Sequence, residues 1–560
     1  MRLTFLAVNC SHSHASLALP CLHAAAQAAA PEWEWRAVAG VTADPPGVLA
    51  AQAAESAPDV VAATVYLFNR AAVFAVLRRV KALLPACRIL LGGPEFLGDN
   101  RALLQAEPWI DAVVRGEGEP AIGPWLASLD RPAAWPAIPG LCWRDAAGNG
   151  HDNGLALLAA DAWAALPPPH SSPFFAHDRP FAQLETVRGC PHACAFCTSA
   201  RTGPPRYLPL DRVAADLAAL YRRGLRDFRL IDRTFNADPR RTVALLRLFR
   251  ETYADGHFHL EWHPAGLAAA VRDALGAAPA GQLHLEVGLQ TTVTAALRAC
   301  QRRETPARAW ENLAVLCGLR NLAVHVDLLA GLPETTPDTV AADLDRLLRL
   351  GPAEIQLETL KLLPGTPLAD HAAGLGLAYA PDPPYEVLRT PQWTPGDLGA
   401  ARDLSRLVDL YVNAPRLHDA GRAAAAAQPD FCRRFQHWLT ARGHDFAPAG
   451  LDTRLRRLHD YARESGLEEA AALLERAWLE AGFSPGNGPR PAHPWQGGPL
   501  PPAAARVAGD AAALTAPHAR VWQLSQPGGD TWYVYDRSTG QGRPVAVFWL
   551  ARPQPRGHVG

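Results

Sequence analysis

Three cysteines, Cys190, Cys194 and Cys197, lie close together in the stretch RGCPHACAFCTSA. Thiolates are soft ligands, and thiols held this near one another either pair or take a soft metal. A loop spaced C-x3-C-x2-C can wrap three corners of an iron–sulfur cubane and leave the fourth iron open, where a substrate or cofactor can bind. The competing readings are a zinc knuckle short of one ligand, with His192 as the fourth, and three unrelated buried thiols. Zinc ligands usually come as two separated pairs, and a histidine wedged between two of the cysteines would strain a tetrahedral site. The other seven cysteines, at positions 10, 21, 87, 142, 300, 317 and 432, are scattered. They are expected to be reduced and mostly small buried hydrophobes.

The elements that must hold this loop can be read along the chain. At 560 residues the chain exceeds one ordinary core, since single cores stop growing at roughly 250–300 residues, so two or three domains are expected. Residues 1–129 alternate apolar runs with Ala-rich helical ones: LTFLAVN, WEWRAVAGVT, DVVAATVYLF, CRILLGG and DAVVRGE as strands, with a helix over ASLALPCLHAAAQAAA and another through RAAVFAVLRRVKALL. That order predicts an α/β, doubly wound, Rossmann-like parallel sheet. Residues 130–180, rich in Pro and Gly, read as a linker with room for one hairpin. Residues 181–375 alternate again, with strands at AQLETV, DFRLID, HLEW, LHLEVGL, AVHVDLLAG and IQLETLKLL, as in a partial or full β/α barrel of the TIM type. The cysteine loop directly follows the first of these strands, at the end of a barrel where chemistry collects. Residues 376–560 read as a mostly helical domain with a Pro/Gly-rich segment, SPGNGPRPAHPWQGGPLPP, and a short terminal hairpin through RVWQLSQ and TWYVYDRS.

The cysteine segment resembles the signature of the radical S-adenosylmethionine (SAM) enzymes, with the same spacing and an aromatic residue, Phe196, just before the third cysteine. The resemblance implies that Cys190, Cys194 and Cys197 hold a [4Fe–4S] cluster. SAM would chelate its fourth iron, and one electron would cleave the sulfonium to a 5′-deoxyadenosyl radical. It also implies that Phe196 packs near the adenine and that Asp232 and Arg233, in DRTFN, lie where the methionine amino group is held. Glu286 and Gln290 in LHLEVGLQT would contact ribose or carboxylate, and Gly331 in HVDLLAGLPETT would form the turn beside the adenine.

The amino-terminal domain needs its own explanation. An open α/β sheet binds ligands at the carboxyl ends of its strands. ILLGGPEFLG and VVRGEGE place glycines directly after two strands, where backbone can approach a large ligand closely. Such loops in front of a radical SAM barrel resemble the cobalamin-binding radical SAM enzymes, and more narrowly a subgroup with an uncharacterised carboxyl-terminal domain, which the phrases GGPE, VRGEGE, DRTFN, GLP and LKLLPGTPL match. The cobalamin contacts so implied are Gly92, Gly93, Pro94, Glu95, Gly116, Glu117 and Gly118. The loop NCSHSHASLA lacks the Asp-x-His-x-x-Gly pattern of a cobalt-ligating histidine, so a cobalt with no protein histidine below it is expected. His14 stays a candidate contact, and Leu67, Phe68 or Asn69 is expected to cover the lower face.

The activity implied is transfer of a methyl group from methylcobalamin to an unactivated carbon. A ring-forming or rearranging enzyme using cobalamin as an electron relay is the alternative, and a non-catalytic cobalamin or cluster sensor is a third reading that the intact trio argues against. The substrate would be a small molecule or a peptide, and a flavodoxin- or ferredoxin-type protein would supply electrons. With a formal net charge of −1 and dispersed arginines, the chain offers no field for nucleic acid. No run approaches the ~20 apolar residues of a membrane span. The start, MRLTFLAVNCSHSH, shows no export signal, so the cytoplasm is expected. The oligomeric state is left open, a monomer being admissible. In the carboxyl-terminal region Trp438 and the WYVY aromatics read as core in preference to pocket, and His437, His459 and Tyr461 carry no motif.

Overall fold

Strand β1 (Arg2–Asn9) is apolar along almost its whole length, as a parallel strand covered on both faces must be. Its alternate residues feed two separate cores. Leu3 and Phe5 join Trp33, Trp125 and Leu141 on one face, while Leu6 and Val8 join Val73, Leu77 and Val80 on the other. Strands β2 (Glu34–Val41), β3 (Val60–Thr64), β4 (Arg88–Gly92) and β5 (Ala112–Val114) add in the order β2-β1-β3-β4-β5, all parallel. This is the doubly wound sheet the alternation predicts, and its order reverses between β1 and β3, the place where such sheets open a ligand crevice. The hairpin expected within 130–180 forms as β6 (Leu141–Arg144) and β7 (Gly150–Asp152), which extend the same sheet antiparallel beyond β5.

The structure is a computed structural model that describes residues 1–494 and the strands Ala519–Gln526, Gly529–Asp536 and Val547–Trp549. It divides into two units, Met1–Thr336 with Thr359–Leu398, and Pro337–Glu358 with Gly399–Gly560.

Within the first unit a second parallel sheet follows. β8 (Ala182–Leu184), β11 (Asp227–Leu230), β12 (His257–Trp262), β13 (Leu283–Gln290) and β14 (Leu322–Ala330) pair in that order. Helices intervene at Leu210–Arg222, Pro239–Thr252, Ala269–Gly276 and Pro306–Gly318, giving the β/α alternation of a partial barrel. Along β12, Phe258, Leu260 and Trp262 are buried, and His259 and Glu261 take the alternate, less buried face. Two short strands, β9 (Val187–Arg188) and β10 (Arg206–Tyr207), pair antiparallel and close the neck of the cysteine loop between them. The sixth expected strand forms as β15 (Glu354–Thr359), all but its last residue within the second unit.

The second unit is helical, with Pro337–Leu350, His418–Ala427, Phe431–Ala441, Leu451–Glu464 and Glu468–Glu480 as its main helices. Phe431, Phe435 and Tyr461 stack in its core, with Trp438 half-buried beside them under Arg442, as the core reading expected. His459 is also buried and spends its Nε2 on Glu475 at 3.0 Å, whereas His437 is exposed. The terminal hairpin forms between Ala519–Gln526 and Gly529–Asp536. The Pro/Gly-rich segment from 495 onward and the side chains of WYVY lie outside the described residues. Among the described residues no helix is long and apolar enough to cross a membrane.

Candidate functional site

The cysteine loop is held by backbone at four points. Gly189 opens it at φ +85°, and a Cβ there would meet the Pro204 carbonyl at 2.4 Å, so only glycine fits. Cys190 N–H donates to Gly203 O at 3.2 Å, Ala195 N–H to Cys300 O at 2.9 Å, and Leu368 N–H to Ala195 O at 2.8 Å. The turn within the loop is closed by Cys197 N–H on Cys194 O at 2.9 Å. The loop is thus fastened before any metal arrives.

All three thiols are free. Cys190 Sγ lies 3.4 Å from Thr234 Oγ1, Cys197 Sγ accepts from Ser199 N–H at 3.4 Å, and Cys194 Sγ lies 3.9 Å from Arg302 Nη1. Burial pushes the Cys194 thiol up to about 11 against the pull of Arg302 and with the neighbouring Cys197 and Cys190 adding to the rise. Three free thiols on one short loop, with the buried Cys194 raised partly by its two neighbours, fit a metal cluster, whose positive charge would favour thiolates. His192 stacks on His263 with ring centroids 3.8 Å apart, and burial and His263 lower its pKa to about 4.

Facing this loop is a cavity of about 470 Å³. The carboxyl ends of β3, β4 and β5 form one wall, through Thr64, Gly92 and Gly116, and the ends of β8, β11 and β12 form the other, through Glu185, Arg233 and Glu261. Gly189, Thr198 and Ser199 of the cysteine loop reach its edge. Two alternating regions therefore present their strand ends to one space, as each fold rule requires separately.

The structure divides the expected contacts. Gly92, Gly93, Pro94, Gly116, Glu117 and Gly118 line the cavity, and so does Arg233. Gly93 (φ +109°) and Gly116 (φ +99°) are glycines for the protein's own sake, because a Cβ would stand 2.5 Å from Val65 O and 2.3 Å from Ala156 O. Gly92 is different. A Cβ there would meet nothing nearer than Val114 at 3.8 Å, so the protein's packing leaves room for a side chain that the cavity does not have. This open stretch fits a large cofactor laid against the strand ends.

Five expected cobalamin contacts do not line the cavity. Asn69 is 1% exposed and locks strand ends together, its Nδ2 donating to Val8 O at 2.9 Å and Thr64 O at 3.2 Å while its Oδ1 accepts from Tyr66 N–H at 2.8 Å. Leu67 and Phe68 are not among the lining residues; the loop instead sends Tyr66 into the cavity, with Phe68 stacked on Tyr66 at 5.4 Å. Glu95 turns away to accept from the Tyr385 hydroxyl at 2.6 Å, with Arg70 beside both. His14 is held through Nδ1 by the hydroxyls of Ser11 and Ser13, at 2.8 and 3.2 Å, edge-on to Phe181.

The expected SAM contacts also separate. Asp232 is fully buried, and its carboxylate accepts from Thr186 N–H at 2.6 Å, Thr186 Oγ1 at 2.5 Å and Val187 N–H at 2.9 Å. It fastens the strand end from which the cysteine loop springs. Glu286 accepts from His259 Nε2 at 2.7 Å, which holds its carboxyl below the usual range. Gln290 sits at the irregularity ending β13 with φ +67°, Gly331 takes φ +84° just after β14, and Phe196 is half-buried; none of these lines the cavity.

Sequence reasoning missed the charged belt of the cavity. Arg188, 10% exposed, pairs with Glu119 at 2.7 Å, Glu185 at 2.8 Å and Glu117 at 3.7 Å, and its guanidinium lies 4.9 Å from the Trp163 ring centroid. Glu117 is also taken by Arg206 at 2.6 Å. Glu261 was missed as well, although its place between Leu260 and Trp262 in an alternating strand marks it as facing away from the core.

Burial pushes Glu261 up to about 7, with Arg233, 3.8 Å away, opposing it. A carboxyl raised above its unfolded value stabilises the fold most below about pH 4.5, and that contribution is lost as pH rises through about 7. Glu261→Gln is therefore expected to flatten the stability curve between those limits and to be more stable than the parent at pH 7.5 by about 1–2 kcal/mol after solvent screening. Thermal melts of the apo protein across pH check this.

Residues 4–123 match the model of the B12 binding domain, and residues 184–347 match that of the Radical SAM superfamily. The 2-(S-pantetheinyl)-carbapenam-3-carboxylate methyltransferase of Streptantibioticus cattleyicolor is 25% identical over 359 residues, 58% of this chain and 50% of that protein. The chain spans about half the length of the curated relatives it matches. Among solved structures, the radical SAM methyltransferase TsrM of Kitasatospora setae, with tryptophan substrate and a SAM analogue bound, aligns at TM-score 0.56 and 19% identity over 83% of this chain and all of that one. The cobalamin-dependent SAM radical enzyme OxsB, with aqua-cobalamin and SAM bound, aligns at TM-score 0.60 and 13% identity over 85% of this chain and 79% of that one. At these identities the two structures speak for the fold alone.

Proposed function

We propose that this chain, which joins a B12-binding domain to a radical SAM domain, is a cobalamin-dependent radical SAM methyltransferase that methylates an unactivated carbon. Its cofactors are a [4Fe–4S] cluster, SAM and cobalamin. The observation that carries the reading is the single cavity onto which both sets of strand ends open, with the cysteine loop at its rim. When bound, the cluster with SAM supplies a carbon radical and cobalamin supplies a methyl group, chemistry that side chains alone cannot perform.

The residues of the chain have definite tasks in this reading. Cys190, Cys194 and Cys197 hold the cluster, and Asp232 positions their loop through Thr186 and Val187. Gly92 would let a corrin lie against backbone, with Gly116 and Gly118 beside it on the same wall, and Tyr66, in place of Leu67, Phe68 or Asn69, would cover it. Arg233 and Glu261 offer charges of both signs to the polar end of SAM or to the substrate. The Arg188 cluster keeps Glu117, Glu119 and Glu185 neutralised, so the wall stays closed around them. Cysteines that must remain reduced support a cytoplasmic location.

Because Gly92 owes nothing to internal packing, Gly92→Leu is expected to fold like the parent and to lose cobalamin affinity by about tenfold or more, a change of about 1.4 kcal/mol. Absorbance of the reconstituted variant, with a melt as control, checks it. The function itself is tested by anaerobic turnover with candidate substrates: 5′-deoxyadenosine and S-adenosylhomocysteine forming together support methyl transfer, and deoxyadenosine alone would overturn it in favour of cyclisation or rearrangement.

A further inference from the structure

The reading above requires an outside source of electrons, and the cysteine loop reaches the surface at Ala193. Ala193, between the first two cysteines, is exposed and borders an open cleft of about 630 Å³ whose other wall is the turn between helices Thr294–Ala299 and Pro306–Gly318. The turn touches the loop directly. Cys300 O accepts from Ala195 N–H at 2.9 Å, and Arg302 Nη1 stands 3.9 Å from Cys194 Sγ.

The charge of this turn is unlike that of the chain. Residues 294–308 carry four arginines, Arg298, Arg302, Arg303 and Arg308, against one carboxylate, Glu304, in a protein whose formal net charge is −1. Glu304 is already spent, since Arg302 donates to it from inside the fold and His263 lies 3.5 Å away. Arg302 is buried, and its Nη2 donates to Gly288 O at 2.8 Å. Arg298, Arg303 and Arg308 are exposed, and among the described residues none of them makes an ion pair or hydrogen bond. Arginines kept unpaired in a near-neutral chain, beside a cleft that borders the thiol loop at Ala193, are placed for a partner's carboxylates.

We propose that this cleft is the docking surface for an acidic one-electron carrier protein of the flavodoxin class, with Arg298 and Arg303 lining it and Arg308 adding its charge from the helix that follows. The step served is transfer of one electron from the reduced carrier, which is oxidised, to the metal held by the three thiolates, which is reduced; no bond in the protein is made or broken. The path is short because the turn beneath the rim is hydrogen-bonded to the loop that carries Cys194. Rim charges act chiefly on encounter rate and on salt dependence. The inference rests on the proposed function, and a chemical reductant separates the two.

The test uses the full chain, anaerobically reconstituted, with a purified bacterial flavodoxin as probe and the triple variant R298E/R303E/R308E. Binding measured by calorimetry is expected to weaken for the parent as salt rises from about 20 to 200 mM, and to be weaker by about tenfold or more in the variant at low salt. Iron content, melting temperature and dithionite-driven deoxyadenosine formation are expected to match the parent, while flavodoxin-driven formation falls in step with binding. Equal affinity of parent and variant, or no binding of flavodoxin at low salt, would overturn the docking surface. Absence of deoxyadenosine with dithionite would instead overturn the function on which it rests.

Discussion

Cys194→Ser is expected to leave a folded protein that has lost its iron–sulfur absorbance and forms 5′-deoxyadenosine slower by on the order of 10³ or more, because a residue that acts as part of a unit takes the whole unit with it. The fold should survive, since the loop is fastened through Gly189, Cys190, Ala195 and Cys197 backbone and not through the Cys194 sulfur. Cobalamin content should also survive, because no cysteine of the trio lines the cavity of the B12-binding strands. Iron, sulfide and cobalamin assays on one preparation separate these outcomes. An unchanged iron content in Cys194→Ser would remove the cluster assignment.

Arg188→Met is expected to be the most destabilising single change in the cavity wall, at about 3–5 kcal/mol. The methionine keeps the stem but leaves Glu119, Glu185 and Glu117 facing one another with only Arg206 to answer Glu117. Arg188→Lys should recover part of the loss, since a single ammonium cannot serve three carboxylates at the angles a guanidinium spans. Urea melts of the three proteins measure the series. A loss under 1 kcal/mol in Arg188→Met would show the cluster to be surface-like, despite the 10% exposure of its arginine.

How much of this was legible before the coordinates depends on what kind of signal each feature leaves. The cysteine loop and the two sheets were legible, because ligand spacing and the alternation of apolar runs with helical ones are properties of the chain itself. Gly92, Gly93, Gly116 and Gly118 were legible for the same reason, as glycines directly after strands. The direction of a loop side chain is not such a property. Asn69 looks like a polar loop residue but is drawn inward by three backbone groups at the ends of β1 and β3 and at Tyr66, and its turn throws Tyr66 into the cavity. Glu95 and Asp232 were misdirected in the same way, each by a partner far along the chain or across a strand pair, Tyr385 in one case and Thr186 in the other.

Glu261 is a different kind of miss. The run HFHLEW alternates, and that alone separates His259 and Glu261 from the buried face, yet a carboxylate in a strand interior reads as ordinary until the opposite wall is known. The Arg188 cluster needs tertiary information entirely, since Glu117 and Glu119 come from one sheet and Glu185 from the other. Charge networks between elements are built from residues that look unremarkable where they stand in sequence.

The central claim is that one chain holds a SAM-cleaving cluster and a cobalamin on the same cavity. Its most direct measurement is anaerobic reconstitution of the full chain with iron, sulfide and hydroxocobalamin, followed by reduction with dithionite in the presence of SAM and chromatography of the products. The account predicts iron and cobalamin bound together in each chain and 5′-deoxyadenosine released, with both iron and product lost in Cys194→Ser. A chain that binds cobalamin and iron yet leaves SAM intact under reduction, or that cleaves it equally well without Cys194, would contradict it.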